Sequence, residues 1–318
     1  MVSYYCIYRC QYIFRRHNMK DTINTIEKLK KEKDAIILAH LYQNPEIQEI
    51  ADFVGDSFEL SKKAKESKAQ TIVFCGVHFM AESAKILSPE KTVLLPREDA
   101  GCPMADMVTE KEVQQLRKKY PNAAVVCYVN SSAKVKALSD ICCTSSNALK
   151  VVKSLPNKQI IFIPDENLGH YIKKQVTDKE VIPFDGYCIT HHLVTKEEVI
   201  KIKKDLKGLK FLAHPECREE ILEEADYIGS TSQIIQYVKE SKDKEFIIGT
   251  EQGILHKLTQ NNPEKTFYLA SSKLICMNMK KTKIEDVLNA LENNTHQIEL
   301  EENVKEKAYD SLNKMLEI

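Results

Sequence analysis

The chain has 318 residues, more than the roughly 250 to 300 that one hydrophobic core usually supports, so we expect two or three compact units. Lysine plus arginine number 46, as do aspartate plus glutamate, and this balance leaves no basic field that would hold nucleic acid. No window reaches the roughly 18 to 20 apolar residues of a membrane helix, so a membrane protein is not expected either.

The first 18 residues read differently from the rest of the chain. Arg9, Arg15 and Arg16 interrupt any apolar core of a signal peptide, so the sequence predicts a cytoplasmic protein. Met19 opens the stretch MKDTINTIEKLKK, which reads as the natural beginning of a fold. We therefore interpret residues 1–18 as a disordered tail, or as the result of a start codon assigned too far upstream.

Three segments of the chain align on a common template. They begin at residues 35, 124 and 210, with the sequences AIILAHLYQNPEIQEIADFVGDSFELSKKAKES, AVVCYVNSSAKVKALSDICCTSSNALKVVKSL and KFLAHPECREEILEEADYIGSTSQIIQYVKES. Each reads as strand, helix, short strand and helix, and then continues with two more apolar runs separated by a helical stretch. Alternating strands and helices of this kind predict parallel sheets covered by helices.

The repeat holds at the level of single positions. The residues that end the first strand of each unit, His40, Tyr128 and His214, are separated by 88 and 86 positions. Other positions in the same register carry matching residues. Two positions after the anchors the residues are Tyr42, Asn130 and Glu216. Twelve positions after them the residues are Asp52, Asp140 and Asp226, and seventeen positions after them they are Ser57, Ser145 and Thr231. We interpret the three aspartates as structural residues that flank the second strand of each unit.

Helix-start signals divide the chain further. The tetrapeptides TEKE (109 to 112), TKEE (195 to 198) and TKIE (282 to 285) fit the Thr-x-x-Glu capping box, in which both side chains satisfy free helix N–H groups. The sequence thus predicts α/β domains at 19–108, 109–194 and 195–281. A C-terminal helical extension is predicted at 282–318.

Three of the ten cysteines share the repeat register. Cys102, Cys188 and Cys276 follow the anchors by 62, 60 and 62 positions, each in the loop after the last strand of its unit. Cys75, Cys127, Cys142 and Cys143 lie in apolar runs and read as core residues, Cys217 adjoins the candidate site, and Cys6 and Cys10 belong to the N-terminal tail. Units packed around a pseudo-threefold axis would bring the three loop cysteines together at a metal or cluster site.

The spacing of these cysteines bears on the kind of metal. Structural zinc sites use close cysteine pairs and a fourth protein ligand, which ligands this far apart in sequence do not provide. A [4Fe–4S] cluster held by three thiolates leaves one open iron that can act as a Lewis acid. The pattern therefore favours a catalytic cluster, with a zinc or mononuclear iron site and an iron–sulfur scaffold or carrier as alternatives.

Polar residues at the strand ends predict an active site, because ligands of open α/β sheets bind beyond the carboxyl ends of the strands. Ser57, Ser145 and Thr231 each precede a helical run, where free N–H groups and the helix dipole favour anions. A substrate with several carboxylates or a phosphate is expected. The competing interpretation of these three hydroxyls is plain N-capping.

Several motifs of the chain closely resemble the quinolinate synthase family in its shorter form, also called the quinolinate synthetase A family. They run through residues 35 to 281 and include AHLYQNPEIQEIADFVGDS, CGVHFMAESAKILSPEKTVLLP, AGCPMADM, YVNSSAKVKALSDICCTSSNA, PDENLGHY, CITHH, HPEC and GSTSQ. The resemblance implies three homologous Rossmann-like αβα units, arranged with pseudo-threefold symmetry around a central [4Fe–4S] cluster. Its implied ligands are Cys102, Cys188 and Cys276.

The resemblance also implies a reaction and its partners. Iminoaspartate and dihydroxyacetone phosphate would condense to quinolinate, with loss of phosphate and two waters, in de novo NAD biosynthesis. An L-aspartate oxidase or dehydrogenase would supply the iminoaspartate. A hydro-lyase acting on another small polyanion is the alternative enzyme. Because Cys276 stands alone in LICMNM, without a CxxCxxC run, regulation by a disulfide at that place is not expected.

Site residues follow from the resemblance position by position. Tyr42 corresponds to a catalytic tyrosine, and we expect Tyr42 and Glu216 to exchange protons with substrate while His40 and His214 orient its anionic groups. A neighbouring cation or metal-bound oxygen would lower the pKa of Tyr42 toward working pH. The substrate-binding set implied is His40, Ser57, Tyr128, Val129, Asn130, Ser145, His191, His214, Pro215, Glu216 and Thr231.

Overall fold

The computed structural model describes residues 20–318, so the interpretation of residues 1–18 lies outside the described residues. Helices and strands alternate through most of this range, as the sequence predicts. The strands are β1 Ala35–His40, β2 Phe53–Gly55, β3 Thr71–Cys75, β4 Thr92–Leu94, β5 Ala124–Tyr128, β6 Ile141–Cys143, β7 Gln159–Ile163, β8 Glu180–Pro183, β9 Lys210–Ala213, β10 Tyr227–Ile228, β11 Glu245–Gly249 and β12 Thr266–Leu269.

Fifteen helices of the described range connect and cover these strands. They are α1 Lys20–Glu32, α2 Pro45–Ile50, α3 Ser57–Glu66, α4 His78–Leu87, α5 Glu110–Lys119, α6 Ala133–Ala137, α7 Ala148–Ser154, α8 Glu166–Gln175, α9 Ile189–His192, α10 Lys196–Asp205, α11 Glu219–Leu222, α12 Thr231–Glu240, α13 Ile254–Asn261, α14 Ile284–Asn293 and α15 Glu302–Glu317. None of the helices in residues 20–318 is long and apolar enough to cross a membrane.

The strands form three four-stranded parallel sheets with one topology. Their orders are β2-β1-β3-β4, β6-β5-β7-β8 and β10-β9-β11-β12. The central strands β1, β3, β5 and β7 are buried almost throughout, as expected for parallel sheets covered on both faces. The prediction of an α/β protein built from three similar parallel sheets is confirmed.

The aspartates twelve positions after each anchor have one structural role. A carboxylate oxygen of Asp52, Asp140 and Asp226 accepts the N–H of the first sheet strand of its own unit, at Ile37, Val125 and Phe211, over 2.7, 2.7 and 2.8 Å. These bonds tie the loop before the second strand to the first strand. The structural role predicted for the three aspartates is confirmed.

A second repeated feature is a lysine that caps the C-terminal end of one helix in each unit. It was not predicted from the sequence. Lys91, Lys179 and Lys265 lie 88 and 86 positions apart, and each ammonium donates to carbonyls at the end of α3, α7 or α12. A cation at a helix C-terminus satisfies free carbonyl groups and complements the dipole.

The predicted capping boxes are present at two of three positions. Thr109 with Glu112 and Thr195 with Glu198 begin α5 and α10 as predicted. The third prediction, at Thr282, is wrong by one residue. Helix α14 begins at Ile284, and the Asp286 carboxylate accepts the Lys283 N–H at 2.8 Å. The buried Thr282 hydroxyl has no partner in the part of the chain that the structure describes. Thr282 therefore lies one residue too early to act as the cap.

The last two helices pack on the units that precede them in the chain. Helix α14 lies against α1 and β3 of the first unit. Helix α15 packs against α4 of the first unit and against α6 and β6 of the second. The C-terminal segment thus joins the first two units instead of forming a unit of its own.

Candidate active site

Side chains from all three units meet beyond the carboxyl ends of their strands. His40 ends β1, Tyr128 ends β5 and His214 follows β9, and each is at most 4 % exposed. The His214 ring stacks on His191 with centroids 4.9 Å apart, and His191 lies 6.4 Å from the Tyr42 ring. The structure therefore brings residues that are distant in sequence into one buried polar cluster.

The Glu216 carboxylate is the negative centre of this cluster. The Tyr128 hydroxyl donates to Oε1 at 2.6 Å, and His191 Nδ1 lies 2.8 Å from Oε2. Burial opposes ionisation of the carboxyl, but His214, His191 and Tyr128 outweigh it and hold the pKa of Glu216 below its ordinary value. A buried, ionised carboxylate is thus held by donors on both oxygens.

The two strand-end histidines are fixed in one tautomer by the same local geometry. The Tyr42 N–H donates to His40 Nδ1 at 3.1 Å, and the Glu216 N–H donates to His214 Nδ1 at 3.3 Å. Burial lowers the pKa of each imidazole to about 3, so both rings are neutral near pH 7. The proton of each neutral ring therefore lies on Nε2, which becomes a donor. Nε2 of His214 lies 3.2 Å from Ser145 Oγ.

The Tyr42 phenol lies between two hydroxyls of the third unit. Its oxygen is 2.9 Å from Thr231 Oγ1 and 2.7 Å from Thr250 Oγ1. Burial, together with the charge of Glu216, raises the pKa of Tyr42 well above its ordinary value. The surrounding side chains therefore keep the phenol protonated. They do not supply the lowering of the Tyr42 pKa that was expected from a neighbouring cation or metal-bound oxygen.

Thr250 is a member of this cluster that the sequence analysis missed. Its Oγ1 lies 2.9 Å from His191 Nε2 as well as 2.7 Å from the Tyr42 hydroxyl, and the residue is fully buried. It directly follows β11, and the equivalent positions hold Gly76 and Pro164. A search for similar residues in the repeat register could not find it, because only the third unit has a hydroxyl there.

The three hydroxyls at the helix starts are not helix caps. Helices α3 and α12 are capped by Asp56 and Ser230, the residues that precede Ser57 and Thr231. Ser145 lies two residues before Asn147, which precedes α7, and contacts His214 instead. The N-capping interpretation is wrong for these hydroxyls, and two of them contact site residues instead: Thr231 contacts Tyr42 and Ser145 contacts His214.

The remaining predicted binding residues lie beside the cluster. Asn130 Oδ1 is buried and has no hydrogen-bond partner among the described residues, as expected of an acceptor that a ligand would satisfy. Val129 and Pro215 are buried between neighbouring site residues. A small cavity reaches this region and is lined by Val129 together with Ser57, Ser61, Ser83, Phe74, Phe79 and Met80.

The three register-sharing cysteines differ from the others that the structure describes. Cys102, Cys188 and Cys276 are half-buried, whereas Cys75, Cys127, Cys142, Cys143 and Cys217 are buried. Burial, together with the charges of Cys276 and Glu216, raises the pKa of Cys102 to about 12. The pKa of Cys188 is likewise raised by burial, by Glu216 and by Cys276 and Cys102. The three thiols are thus close enough to influence one another.

Each of these thiols accepts backbone N–H groups from residues just after it in its own loop. Such bonds oppose the effect of burial by favouring the thiolate, and hydrogen bonds to sulfur also set the properties of metal–thiolate centres. The donors are Ala105 and Met104 for Cys102, His191 for Cys188, and Met279 and Asn278 for Cys276. Three loops of different units therefore present sulfur in one local geometry.

Two fully buried carboxylates hold two of the cysteine loops. Asp165 accepts the Cys188 N–H at 3.2 Å, and Glu251 accepts the Cys276 N–H at 3.1 Å. These acids are 86 positions apart, and the equivalent residue of the first unit is Val77. Each also accepts an N–H at the start of the following helix, and Glu251 pairs with Lys280 at 2.9 Å. Neither acid was predicted from the sequence.

The donor atoms at these loops fit a metal centre. Cys188, His191 and Glu216 offer ligand atoms within 4.8 Å of one another, which would suit a single divalent ion. However, His191 and Glu216 are already bonded to each other and to Thr250 and Tyr128. Within residues 20–318, the one side-chain hydrogen bond of the three thiols is the contact of Cys188 with His191 at 3.2 Å. They therefore fit a thiolate-bound centre better than the mixed group does.

Comparison with known proteins gives one consistent result. The family described as Quinolinate synthetase A protein matches residues 24–317. Quinolinate synthase of Alkaliphilus metalliredigens is 58 % identical over 301 residues, which cover 95 % of this chain and 99 % of that protein. Quinolinate synthases of Caldicellulosiruptor saccharolyticus and Clostridium kluyveri are 58 % and 55 % identical, over 92 % and 93 % of this chain.

Proposed function

The chain belongs to the quinolinate synthetase A family, and from that membership we propose that it condenses iminoaspartate with dihydroxyacetone phosphate to give quinolinate, phosphate and two waters. The observation that carries the proposal is the convergence of Tyr42, Glu216 and Thr231 with the half-buried cysteine loops. Acid–base groups and metal-ligating thiols are thereby available to one small substrate.

We propose that Cys102, Cys188 and Cys276 hold a [4Fe–4S] cluster. Support comes from their half-buried loops, their mutual electrostatic influence and the N–H groups that each sulfur accepts. When bound by three thiolates, such a cluster supplies an open iron that polarises a substrate oxygen or nitrogen. We further propose that the three units surround it with pseudo-threefold symmetry, in line with their identical strand order.

The site is suited to anionic substrates without a strong positive field. Ser57 and Thr231 lie at the first turns of α3 and α12, where N–H groups favour carboxylates and phosphates. The Nε2–H groups of neutral His40 and His214 add donors from the strand ends. We propose that these groups orient the carboxylates and the phosphate, with Ser145, Asn130, Tyr128 and His191 completing the binding set and Val129 and Pro215 forming its wall.

Proton transfer is assigned to two side chains. Quinolinate formation requires an enol or enediol shift in the triose and two dehydrations, so protons must move at carbon and at oxygen. Glu216 is ionised and can accept a proton, and Tyr42 is protonated and can donate one. We propose that they act as the base and the acid at the start of the reaction and then exchange roles.

Other functions account for less of the geometry. An iron–sulfur scaffold or carrier would need the thiols but not the buried cluster around Glu216.

An L-aspartate oxidase or dehydrogenase that supplies iminoaspartate remains our proposal for the partner enzyme. The cytoplasmic location stays a prediction.

The proposal is tested by purifying the protein without oxygen and measuring its iron, sulfide and zinc content together with quinolinate formed from the two substrates. We expect iron and sulfide in nearly equal amounts and sustained quinolinate production. Protein that is fully loaded with iron and sulfide but forms no quinolinate would exclude this activity. Zinc in place of iron, with activity retained, would instead exclude the proposed cofactor.

A further inference from the structure

The Lys280 side chain joins the loop of Cys276 to the first unit. Its ammonium donates to the Tyr42 carbonyl oxygen and lies 2.9 Å from Oε1 and 3.1 Å from Oε2 of Glu251. Lys280 follows Cys276 by four positions, and its own N–H donates to the Cys276 carbonyl at 3.2 Å. One ammonium therefore contacts both the main chain of the proposed acid and the carboxylate behind a proposed metal ligand.

Glu251 completes the connection to the cysteine loop. Its Oε1 accepts the Cys276 N–H at 3.1 Å, and its Oε2 accepts the Gly253 N–H at 2.6 Å. The carboxylate is fully buried, and an unpaired buried charge is costly, so a neighbouring cation is required. This requirement explains the pair of Lys280 with Glu251. It does not explain why a further donor of the same ammonium is bonded to the main chain of another unit.

The main chain of Tyr42 lies directly on the third unit. A Cβ atom added to Gly253 would lie 2.7 Å from the Leu41 carbonyl oxygen and 2.7 Å from Tyr42 Cα, closer than Cβ atoms approach other atoms in proteins. Gly253 precedes α13, so the two main chains meet at the start of this helix. This close approach is an observation independent of the Lys280 bond, and it fixes the same stretch of the first unit.

The next two residues of the strand-end loop bond to the cysteine loop as well. Gln43 Nε2 lies 3.5 Å from Met279 Sδ, and Asn44 Nδ2 donates to the Lys280 carbonyl at 3.2 Å. Asn44 directly precedes α2, yet its side chain does not cap that helix. Three successive residues of the first unit are thus bonded to one loop of the third.

The position of a phenol follows from the position of its main chain. A tyrosine side chain has only two rotatable bonds and few favoured rotamers, so a shift of the Tyr42 main chain moves its hydroxyl by a similar distance. That hydroxyl is confined between those of Thr231 and Thr250. A group that holds the Tyr42 carbonyl therefore also limits where the phenol can lie.

We propose that Lys280 is a positioning residue of the reaction, which holds the Tyr42 main chain in place relative to the Cys276 loop. This inference rests on the proposed function, since Tyr42 is the proposed acid and Cys276 a proposed metal ligand. The ammonium acts through the main chain of Tyr42, so its loss should lower turnover more than substrate affinity. Its loss should also loosen the strand-end loop in the protein without metal.

The test removes the ammonium without leaving a buried carboxylate unpaired. Lys280→Met in a Glu251→Gln background is compared with Glu251→Gln alone, in which Lys280 can still donate to the Tyr42 carbonyl. Both proteins are prepared without oxygen and loaded with iron and sulfide. Because misplacement of a reacting group by about 1 Å can cost on the order of 100-fold, we expect the added change to lower kcat about 10- to 100-fold. KM for each substrate should change less than about threefold.

Hydrogen exchange, followed by mass spectrometry, gives a measurement that needs neither metal nor turnover. The Tyr42 N–H donates to His40 Nδ1 and the Gln43 N–H to the His40 carbonyl, so both amides report on the order of this loop. We expect them to exchange at least about tenfold faster in the metal-free double variant than in metal-free Glu251→Gln. If the double variant does not fold, Lys280→Gln in the same background, with a shorter side chain and a polar end group, takes its place.

Lys273→Met is the matched control. Lys273 also pairs with a carboxylate, that of Glu198 at 3.1 Å, and lies three positions before Cys276, but its side chain is 43 % exposed. The control should leave kcat and the exchange of both amides unchanged. When Tyr42→Phe is also present, the change at Lys280 should have little further effect on kcat, because both changes act on the Tyr42 hydroxyl.

The outcomes separate this inference from the function on which it rests. Parent enzyme that makes quinolinate, with the loaded double variant equal to Glu251→Gln in kcat, would overturn the positioning role alone. A higher KM at unchanged kcat, unchanged exchange of the two amides, or an equal loss of kcat in the presence of Tyr42→Phe would overturn it as well. Loaded parent enzyme that makes no quinolinate would overturn the proposed function, and the inference with it.

Discussion

Tyr42 has two partners on its hydroxyl, and both are hydroxyls of the third unit. A phenol whose pKa is raised by burial starts the reaction as a donor. Such a group is useful where a leaving hydroxyl must be protonated. Its counterpart is Glu216, whose ionised carboxylate is held by Tyr128 and His191. At neutral pH the pair therefore consists of a protonated phenol and an ionised carboxylate, the states that a proton donor and a proton acceptor require.

Replacing Tyr42 by Phe tests the acid. The ring and its contact with His40, at a centroid distance of 4.5 Å, should be kept, and only the hydroxyl is lost. We expect iron and sulfide content equal to the parent, KM values within a few-fold, and a fall in kcat of about 100- to 10,000-fold, the usual contribution of general acid–base catalysis. A loaded Tyr42→Phe variant that turns over at nearly the parent rate would show that the hydroxyl has no chemical role.

Serine replacements of single cysteines test the metal ligands. We expect Cys102→Ser, Cys188→Ser and Cys276→Ser to lose most of the iron, because a serine hydroxyl is a poor ligand for iron–sulfur clusters compared with a thiolate. Cys217→Ser is the control, since this thiol is next to Glu216 in sequence but is buried and faces the Gly249 carbonyl. Iron retained in Cys188→Ser and lost in Cys217→Ser would contradict the assignment.

The residues that the sequence could reveal are those that recur in the repeat register. His40, Tyr128 and His214, the residues two positions on, and the three loop cysteines were all found in this way. His191 has no equivalent in the other units and was identified only through the family resemblance. Thr250 and Lys280 could not be found from spacing, because their contacts with Tyr42 join the third unit to the first and exist only in the folded chain.

At the scale of elements, the same tie between loop and strand is made three times. Of the three aspartates, Asp226 makes this bond without an ion pair to any cation of residues 20–318, whereas Asp52 pairs with Lys30 and Asp140 with Arg117. Asp226 therefore isolates the effect of a carboxylate that accepts a buried backbone N–H, here that of Phe211. Loss of the acceptor leaves this N–H unsatisfied.

We expect Asp226→Ala to lower the free energy of unfolding by about 1 to 3 kcal/mol, the cost of an unsatisfied buried donor. Asp226→Asn keeps an acceptor oxygen and should cost less. Urea denaturation at constant protein concentration measures both. Equal stability of Asp226→Ala and the parent would mean that water replaces the carboxylate.

The loops that carry Cys188 and Cys276 depend on a second repeated device. Asp165 and Glu251 each accept the cysteine N–H and a helix N–H, so one carboxylate joins the strand end, the helix and the cysteine loop. Spacing alone did not reveal them, because the first unit has Val77 at this position and the triplet is incomplete. Groups behind metal ligands commonly govern how firmly the ligands are held.

Replacing Glu251 by Gln should weaken the hold on the metal. The amide oxygen can accept an N–H, but the amide breaks the ion pair with Lys280, whose side chain is only 13 % exposed. We expect iron release to a chelator, measured without oxygen, to be about 10- to 100-fold faster than in the parent, the range seen when partners of metal ligands are lost. Glu245→Gln, at an exposed strand position, is the control. Equal release rates in both variants would contradict this role.

At the scale of the whole molecule, no single unit contains the site. Tyr42 comes from the first unit, Tyr128 and His191 from the second, and Glu216 and Thr250 from the third. The site therefore exists only while the units keep their relative positions. The three parallel sheets could be predicted from the repeat, but the packing of the C-terminal helix could not, because an amphipathic pattern does not say which neighbour it covers.

Helix α15 contributes to that packing, since it lies against α4 of the first unit and against α6 and β6 of the second. Leu312 of this helix is fully buried, and the neighbouring Ser311 hydroxyl donates to the Lys136 carbonyl of α6 at 2.9 Å. Leu312→Ala removes apolar contacts without touching the site. The cost of such a truncation in a packed core is about 2 to 5 kcal/mol, depending on how far the surroundings collapse.

We therefore expect Leu312→Ala to lower the urea midpoint strongly, while kcat and KM at 25 °C stay near the parent values as long as the protein remains folded. Glu306→Ala, an exposed position on the same helix, should change neither quantity. A loss of kcat in folded, cluster-loaded Leu312→Ala would contradict this expectation. It would mean that the contact between the first two units also sets the position of Tyr42 relative to Tyr128 and His191, so that α15 supports catalysis as well as stability.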